Sequence, residues 1–344
     1  MIYDNLEFYN VEELYEKDNI PGKILGRFNL KTMNLLDSDH MKNGKAAASY
    51  SNECEIRFVT VRKSVRLYLS ALETDGKINV YHGDYFNGTY DIHQGKINCI
   101  TLTVNDRLYE TEERATNPRY SKEVWRIVFL KRFTAIYHGI DVSNEKVRPP
   151  VKNELPSKTF LAYGSSISFG ATSGKESDLS YIQIAARKLK YQVLNKSMPG
   201  SCFCEKAVTD FITEINEADF YLYEIGGNMR NRYTVDEFKE RFTYLMDETL
   251  RKQGNKPVFI IDVFWTLRNI PFENQVVVND IVDGYNQVMV QYIRNRPNEN
   301  LILIDNKKII TDYSLMCADM IHPSPYGSII MGENLYHEMS KYLL

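Results

Sequence analysis

At 344 residues the chain is longer than one hydrophobic core usually supports, so two domains are expected. Its 43% apolar and 25% charged residues are those of a folded globular protein and exclude a disordered one. A formal net charge of -3, a pI near 6.1 and the scatter of its Lys and Arg residues exclude a general attraction to nucleic acid or anionic membrane, so any partner has to be recognised locally.

The opening stretch, MIYDNLEFYNVEELYEKDNI, carries acids where a secretory signal has a basic start and an apolar core, and no apolar run is long enough to cross a bilayer. A cytoplasmic location without membrane contact is the expectation. The five cysteines, Cys54, Cys99, Cys202, Cys204 and Cys317, are odd in number and scattered, as suits thiols in a reducing compartment. Cys202-Phe203-Cys204 has no Cys/His partner pair at the spacing a structural zinc requires, so no metal is expected.

Period two governs the first part of the chain. In NECEIRFVT, Cys54, Ile56 and Phe58 face one way and Glu53, Glu55 and Arg57 the other, and SVRLYLS repeats the pattern with Val65, Leu67 and Leu69. Further β-rich runs follow between Asn-Gly, Gly-Asp and Gln-Gly turns. Short strands at this spacing predict an all-β, jelly-roll-like sandwich over residues 1–145. The stretch 141-DVSNEKVRPPVKNELPS-157 then combines charge with prolines, and a linker is placed at 146–157.

From residue 158 to the end the period changes. KTFLAYG, YQVLNKSM, DFYLYEIGG, PVFIIDVFW and LILIDN read as buried strands. Helical patterns such as SDLSYIQIAARKLKY and DEFKERFTYLMDETLRKQG alternate with them. Five strand-helix units predict an α/β domain with a parallel sheet covered by helices on both faces. Ligands of such sheets sit outside the carboxyl ends of the strands.

The stretch 161-LAYGSSISFGATSGKESD-178 lies at such an end. It fails as a phosphate loop, since Phe169 stands where Gly is required and Glu176 follows Gly174-Lys175, and Gly164 with Gly170 lacks the dinucleotide spacing. A nucleophile reading fits better. Ser166 follows the first strand, and 319-DMIHPSPYG-327 places Asp319 three residues before His322. That spacing lets the carboxylate reach Nδ1 and leaves Nε2 free to take a proton from serine. Pro323 restrains His322 toward extended backbone. Gly200 after the second strand can bring up a backbone N–H, and Asn228 after the third can supply a side-chain N–H for an oxyanion.

Other roles stay open for each residue. Ser166 also suits a helix cap, Ser165 is its nearest competitor, Gly200 can serve only a positive φ, and Asn228 can merely end a strand. Arg230 and Arg232 can touch a polar substrate or solvent, and Phe264 and Trp265 can line a pocket or fill the core. His40, His82, His93, His138 and His337 read as structural or solvated.

The ordered blocks YGSSIS, SMPG, GGN and DMIHP resemble those of the SGNH (GDSL-type) hydrolases, and the preceding β domain is similar to the branch with family 2 carbohydrate esterases and GDSL-like acylhydrolases. The resemblance covers Lys158 to the end at motif level. It implies a three-layer, flavodoxin-like catalytic domain with Ser166 as nucleophile, His322 as base and Asp319 as its partner. The oxyanion hole would be the N–H groups of Ser166 and Gly200 and the Asn228 amide. It further implies a serine esterase without metal or organic cofactor, acting on short-chain, acetyl-type esters of a carbohydrate. A lipid or thioester acylhydrolase and a silent glycan-binding protein are the alternatives. The family's usual Asp after the first-block glycine is Ser165 here, and its Asp after the third-block Asn is Met229. The oligomeric state, a homo-oligomer included, is not legible.

Overall fold

The alternation of the first part becomes strand in the computed structural model, which describes residues 1–36, 42–110, 118–130, 132–172, 178–266, 279–297 and 299–343. His40 and the Gly174-Lys175-Glu176 stretch lie outside these residues. The chain divides into two units. One comprises Met1–Leu30 and Ala48–Ser157 together with Asp178, and the other comprises Lys31–Ala47, Lys158–Gly174 and Leu179–Leu344.

The first unit holds β1 (Ile2–Tyr3), β2 (Leu6–Tyr9), β3 (Glu13–Lys17), β4 (Ile20–Gly26), β5 (Glu55–Thr60), β6 (Ser64–Ala71), β7 (Gly76–His82), β8 (Tyr85–Ile92), β9 (Asn98–Thr103), β10 (Trp125–Phe129), β11 (Ala135–Asp141) and β12 (Val147–Arg148). One antiparallel sheet runs β1-β2-β5-β10-β7-β8 with β12 against β5, and the second runs β3-β4-β11-β6-β9. The alternation explains the core between them. Ile56, Phe58, Ile127 and Val80 from one sheet meet Val65, Leu67, Leu69 and Leu102 from the other, all buried. The segment expected as a linker carries β12 and a short 3₁₀ turn, where Arg148 binds Glu154 through two nitrogens at 2.7 and 2.8 Å.

The second unit holds β13 (Thr159–Gly164), β14 (Gln192–Asn195), β15 (Phe220–Glu224), β16 (Val258–Ile261) and β17 (Leu301–Ile304), all parallel, in the order β14-β13-β15-β16-β17. Short helices α1 (Leu30–Leu35), α2 (Lys42–Ser49) and α3 (Arg107–Glu110) precede these strands. Between and after them come α4 (Tyr181–Leu189), α5 (Lys206–Ile212), α6 (Val235–Gln253), α7 (Asn279–Arg294), α8 (Asn306–Ile309) and α9 (Pro325–Leu343). Residues 182, 185, 186 and 189 of α4 fall on one face because helical spacing puts them there, and they pack with Met331, Leu335 and Met339 of α9 over Phe160, Ala162, Phe220 and Leu222. On the opposite face Phe238 of α6 stacks on Tyr285 of α7 with ring centroids 4.0 Å apart. The helix starts are written in the sequence. Thr234 and Glu237 form a capping box on α6, and the Ser180 hydroxyl accepts from the Gln183 N–H on α4.

The strand order reverses at β13, between β14 on one side and β15 on the other. An open parallel sheet leaves a crevice at such a point, beyond the carboxyl ends of the strands. Among the described residues no helix is long and apolar enough to cross a membrane.

Candidate active site

Three loops leave the sheet at this crevice. Ser165 and Ser166 follow β13, Ser197 to Cys204 follow β14, and Ile225 to Arg230 follow β15. A fourth segment, Cys317 to Ser324, arrives from the turn before α9.

That last segment is a tight loop held by its own backbone. Cys317 N–H donates to the His322 carbonyl at 2.7 Å, Met320 N–H to the Cys317 carbonyl at 2.8 Å, and Ser324 N–H to the Leu315 carbonyl at 2.7 Å. Asp319 Oδ1 accepts the N–H groups of Ile321 and His322 at 2.9 and 3.0 Å. Its other oxygen, Oδ2, lies 2.7 Å from His322 Nδ1. Burial pushes the Asp319 carboxyl up, but these hydrogen bonds from the His322 and Ile321 backbone and the imidazole outweigh it and hold the group below the ordinary carboxylate range. The anion therefore fixes the tautomer with its proton on Nδ1, and Nε2 is left as an acceptor.

Ser166 Oγ lies 2.7 Å from that Nε2. Hydroxyl, imidazole and carboxylate thus form one continuous chain, assembled from residues more than 150 positions apart. Ser165, the competitor, is turned away. Its hydroxyl donates to Glu224 Oε2 at 2.7 Å and accepts the Ile167 N–H at 3.2 Å.

The expected oxyanion donors face varied surroundings. Asn228 Oδ1 accepts the Cys202 N–H at 3.1 Å, so the amide is oriented with Nδ2 as its remaining, donor end. Gly200 has φ +71°, the left-handed region, and an added Cβ would meet nothing within 4 Å; the backbone conformation is what calls for glycine there. The N–H groups of Ser166 and Gly200 donate to no acceptor among the described residues.

The outer candidates separate. Phe264 is 2% exposed and belongs to the core under α4, edge-on to Tyr181. Trp265 is half-buried and packs on Tyr313 with centroids 4.0 Å apart, beside the segment that carries His322. Arg230 is buried, and its charge acts on the Glu224 carboxyl rather than standing in solvent. Of the described remaining histidines, His82 packs on Trp125, His93 pairs with Asp75, His138 meets Ser70, and His337 lies in α9. Glu224 itself was not among the residues expected from sequence; the available signal was a carboxylate closing an otherwise apolar strand. Among the described residues no cluster of three or more His, Cys, Asp or Glu side chains is arranged to hold a metal.

Residues 157–338 match the model of the GDSL-like lipase/acylhydrolase family. No curated protein matches the chain. Among solved structures the chain is similar to the salicylyl-acyltransferase SsfX3 from a tetracycline biosynthetic pathway, with TM-score 0.80 and 11% identity over 99% of this chain and 95% of that one. It is also similar to a family two carbohydrate esterase from Clostridium thermocellum in complex with cellohexaose, with TM-score 0.60 and 13% identity over 85% and 92% of the two chains. A third is the acetyl xylan esterase Est2A from the rumen bacterium Butyrivibrio proteoclasticus, with TM-score 0.57 and 11% identity over 100% and 97%. At these identities the likeness speaks for the fold.

Proposed function

The chain belongs to the GDSL-like lipase/acylhydrolase family and is an ester hydrolase, and from that premise we propose that it cleaves short-chain, acetyl-type esters of carbohydrates through an acyl-enzyme on Ser166. The observation that carries the reading is the unbroken chain from Ser166 Oγ through His322 to Asp319, with 2.7 Å at both links. As the Ser166 oxygen bonds to the ester carbonyl carbon, its proton passes to His322 Nε2, and Asp319 stabilises the imidazolium that forms. The Asn228 amide and the N–H groups of Ser166 and Gly200 receive the negative charge on the former carbonyl oxygen. His322 then gives its proton to the departing sugar oxygen, and water releases the acid by the same steps in reverse order.

The sugar rests on two supports. Carbohydrate and acetyl xylan esterases share this fold over most of the chain. The Trp265–Tyr313 pair, with Tyr313 44% exposed, offers an aromatic face of the kind on which sugar rings stack. The test is hydrolysis of p-nitrophenyl acetate by the wild type and Ser166→Ala, followed by mass spectrometry of acetylated oligosaccharides for loss of acetyl. Ser166→Ala is expected to lose activity by a factor on the order of 10⁴ or more. Equal rates for the two proteins would refute the nucleophile, and a fully active enzyme that leaves every acetylated oligosaccharide intact would refute the substrate.

A further inference from the structure

Glu224 ends β15, directly beside Gly164 in the parallel pairing with β13. Its side chain is buried, and one oxygen, Oε2, collects three hydrogen bonds. The donors are the Ser165 N–H at 2.7 Å, the Ser165 hydroxyl at 2.7 Å and the Ser168 hydroxyl at 2.9 Å. The approach depends on glycine. A Cβ on Gly164 would stand 2.4 Å from Ser168 Oγ and 2.8 Å from Glu224 Oε2.

The network continues outward on both sides of the turn. Since the Ser168 proton is committed to Glu224, the Tyr181 hydroxyl donates to Ser168 Oγ at 2.8 Å. The Asn195 amide donates to the Ser168 carbonyl at 3.0 Å, and the Ser165 hydroxyl accepts the Ile167 N–H at 3.2 Å. Thus one carboxylate oxygen ties down the residues on either side of Ser166. Ser166 Oγ itself is left to His322. Burial pushes the Glu224 carboxyl up, while the Ser165 and Ser168 hydrogen bonds and the Arg230 charge oppose that shift.

We infer that Glu224 is a positioning residue of this site, holding the 165–168 turn from below so that Ser166 Oγ meets His322 Nε2; the inference rests on the proposed role of Ser166. A glutamine at 224 keeps the shape but turns an acceptor of three donors into a group with one acceptor and one donor end. Ser165 Oγ lies 2.7 Å from Glu224 Oε2, so an aspartate at 165 brings a carboxylate beside position 224 and two substitutions can relocate the charge.

The experiment measures kcat, KM and thermal stability on p-nitrophenyl acetate for Glu224→Gln, Ser165→Asp, the double variant and Ser166→Ala. Misplacement of a nucleophile by about 1 Å costs on the order of 10²-fold, so Glu224→Gln is expected to lose roughly that in kcat with KM little changed. Ser165→Asp alone sets two carboxylates side by side in a buried place and is expected to lose activity as well. Together they restore a single carboxylate, and the double variant is expected to recover at least about tenfold over the weaker single variant. A role in stability alone gives a loss of melting temperature without the kcat loss or the rescue. A Glu224→Gln enzyme with wild-type kcat, or a double variant no better than the weaker single, overturns the inference. If Glu224→Gln does not fold, Ser168→Ala removes one of the three donors and carries the same test, with unchanged kcat as the overturning result. Inactive Ser166→Ala beside a fully active Glu224→Gln defeats the positioning role alone, whereas active Ser166→Ala defeats both readings.

Discussion

Glu55 in the antiparallel unit and Glu224 in the parallel-sheet unit are both buried on strands, yet their surroundings are opposite. Glu55 lies between two guanidiniums. Arg126 binds it through two nitrogens at 2.6 and 2.9 Å, and Arg57 Nε donates at 2.6 Å. The guanidiniums in turn stack on Tyr120 and Tyr9, 3.9 and 3.7 Å from the ring centroids. Burial alone would push the Glu55 carboxyl up, but the two positive charges and their hydrogen bonds bring it well below the ordinary range. Among the described residues Glu224 meets hydroxyls and one N–H at hydrogen-bond distance, and although the Arg230 charge adds to them, burial prevails. One carboxylate is neutralised by charge and holds a sheet together. The other is held by dipoles and sets the shape of a turn.

The contrast between the two carboxylates breaks first at Glu55. Removing one partner of a buried ion pair leaves the other charges uncompensated and costs about 3–5 kcal/mol, so Glu55→Gln is expected to lower the urea midpoint strongly. Activity per folded molecule is expected to stay at the wild-type level, the reverse of the Glu224→Gln pattern. If Glu55→Gln loses kcat while its midpoint holds, the division between the two carboxylates is wrong.

A smaller effect sharpens the catalytic side. Asn228 spends Oδ1 on the Cys202 N–H, which leaves Nδ2 for the proposed oxyanion hole. Loss of one such donor costs roughly 3 kcal/mol of transition-state stabilisation, so Asn228→Ala is expected to lower kcat on the order of 10²-fold with KM little changed. Asn228→Asp keeps an acceptor for Cys202 but replaces the donor with negative charge. It is expected to be at least as impaired, whereas a merely structural Asn228 would tolerate it.

What was legible in the sequence follows from how far each feature reaches along the chain. The periods of two and 3.6 are local, and they separate the antiparallel unit from the parallel one. That Ser166, His322 and Asp319 meet was legible because each stands just past a recognisable strand or just before the closing helix, where one rim gathers them. Alternation also placed Glu55 and Arg57 opposite Ile56 and Phe58. It could not say that the polar face is buried as well, because that depends on Arg126 and Tyr120 arriving from distant segments. The partnership of Glu224 with Ser165 depends on the register Gly164 to Glu224, which only the assembled sheet defines. Phe264 was left between pocket and core for the same reason, and packing against Tyr181 places it in the core.

A third buried glutamate has weaker support of both kinds. Glu205, just before α5, is 7% exposed, and neither of its oxygens accepts a well-aligned hydrogen bond among the described residues. Burial pushes its carboxyl up to about 7, with the Arg241 charge and its own backbone N–H offsetting only part of the rise. The folded protein therefore holds this proton more tightly than the unfolded chain, whose carboxyl titrates near the ordinary 4.5. Its contribution is fully present below about pH 4.5 and is lost as pH rises through about 7. From pH 5 to pH 8 the loss is roughly 2 kcal/mol, because each tenfold difference in proton affinity between the folded and unfolded chains is worth about 1.4 kcal/mol. Glu205→Gln stays uncharged throughout, so the variant is expected to be more stable than the wild type at pH 8 and to match it more closely at pH 5. Urea midpoints at the two values decide. An unchanged slope in Glu205→Gln shows that other groups carry the pH dependence and that the weak support of Glu205 does not set it apart from Glu55 and Glu224.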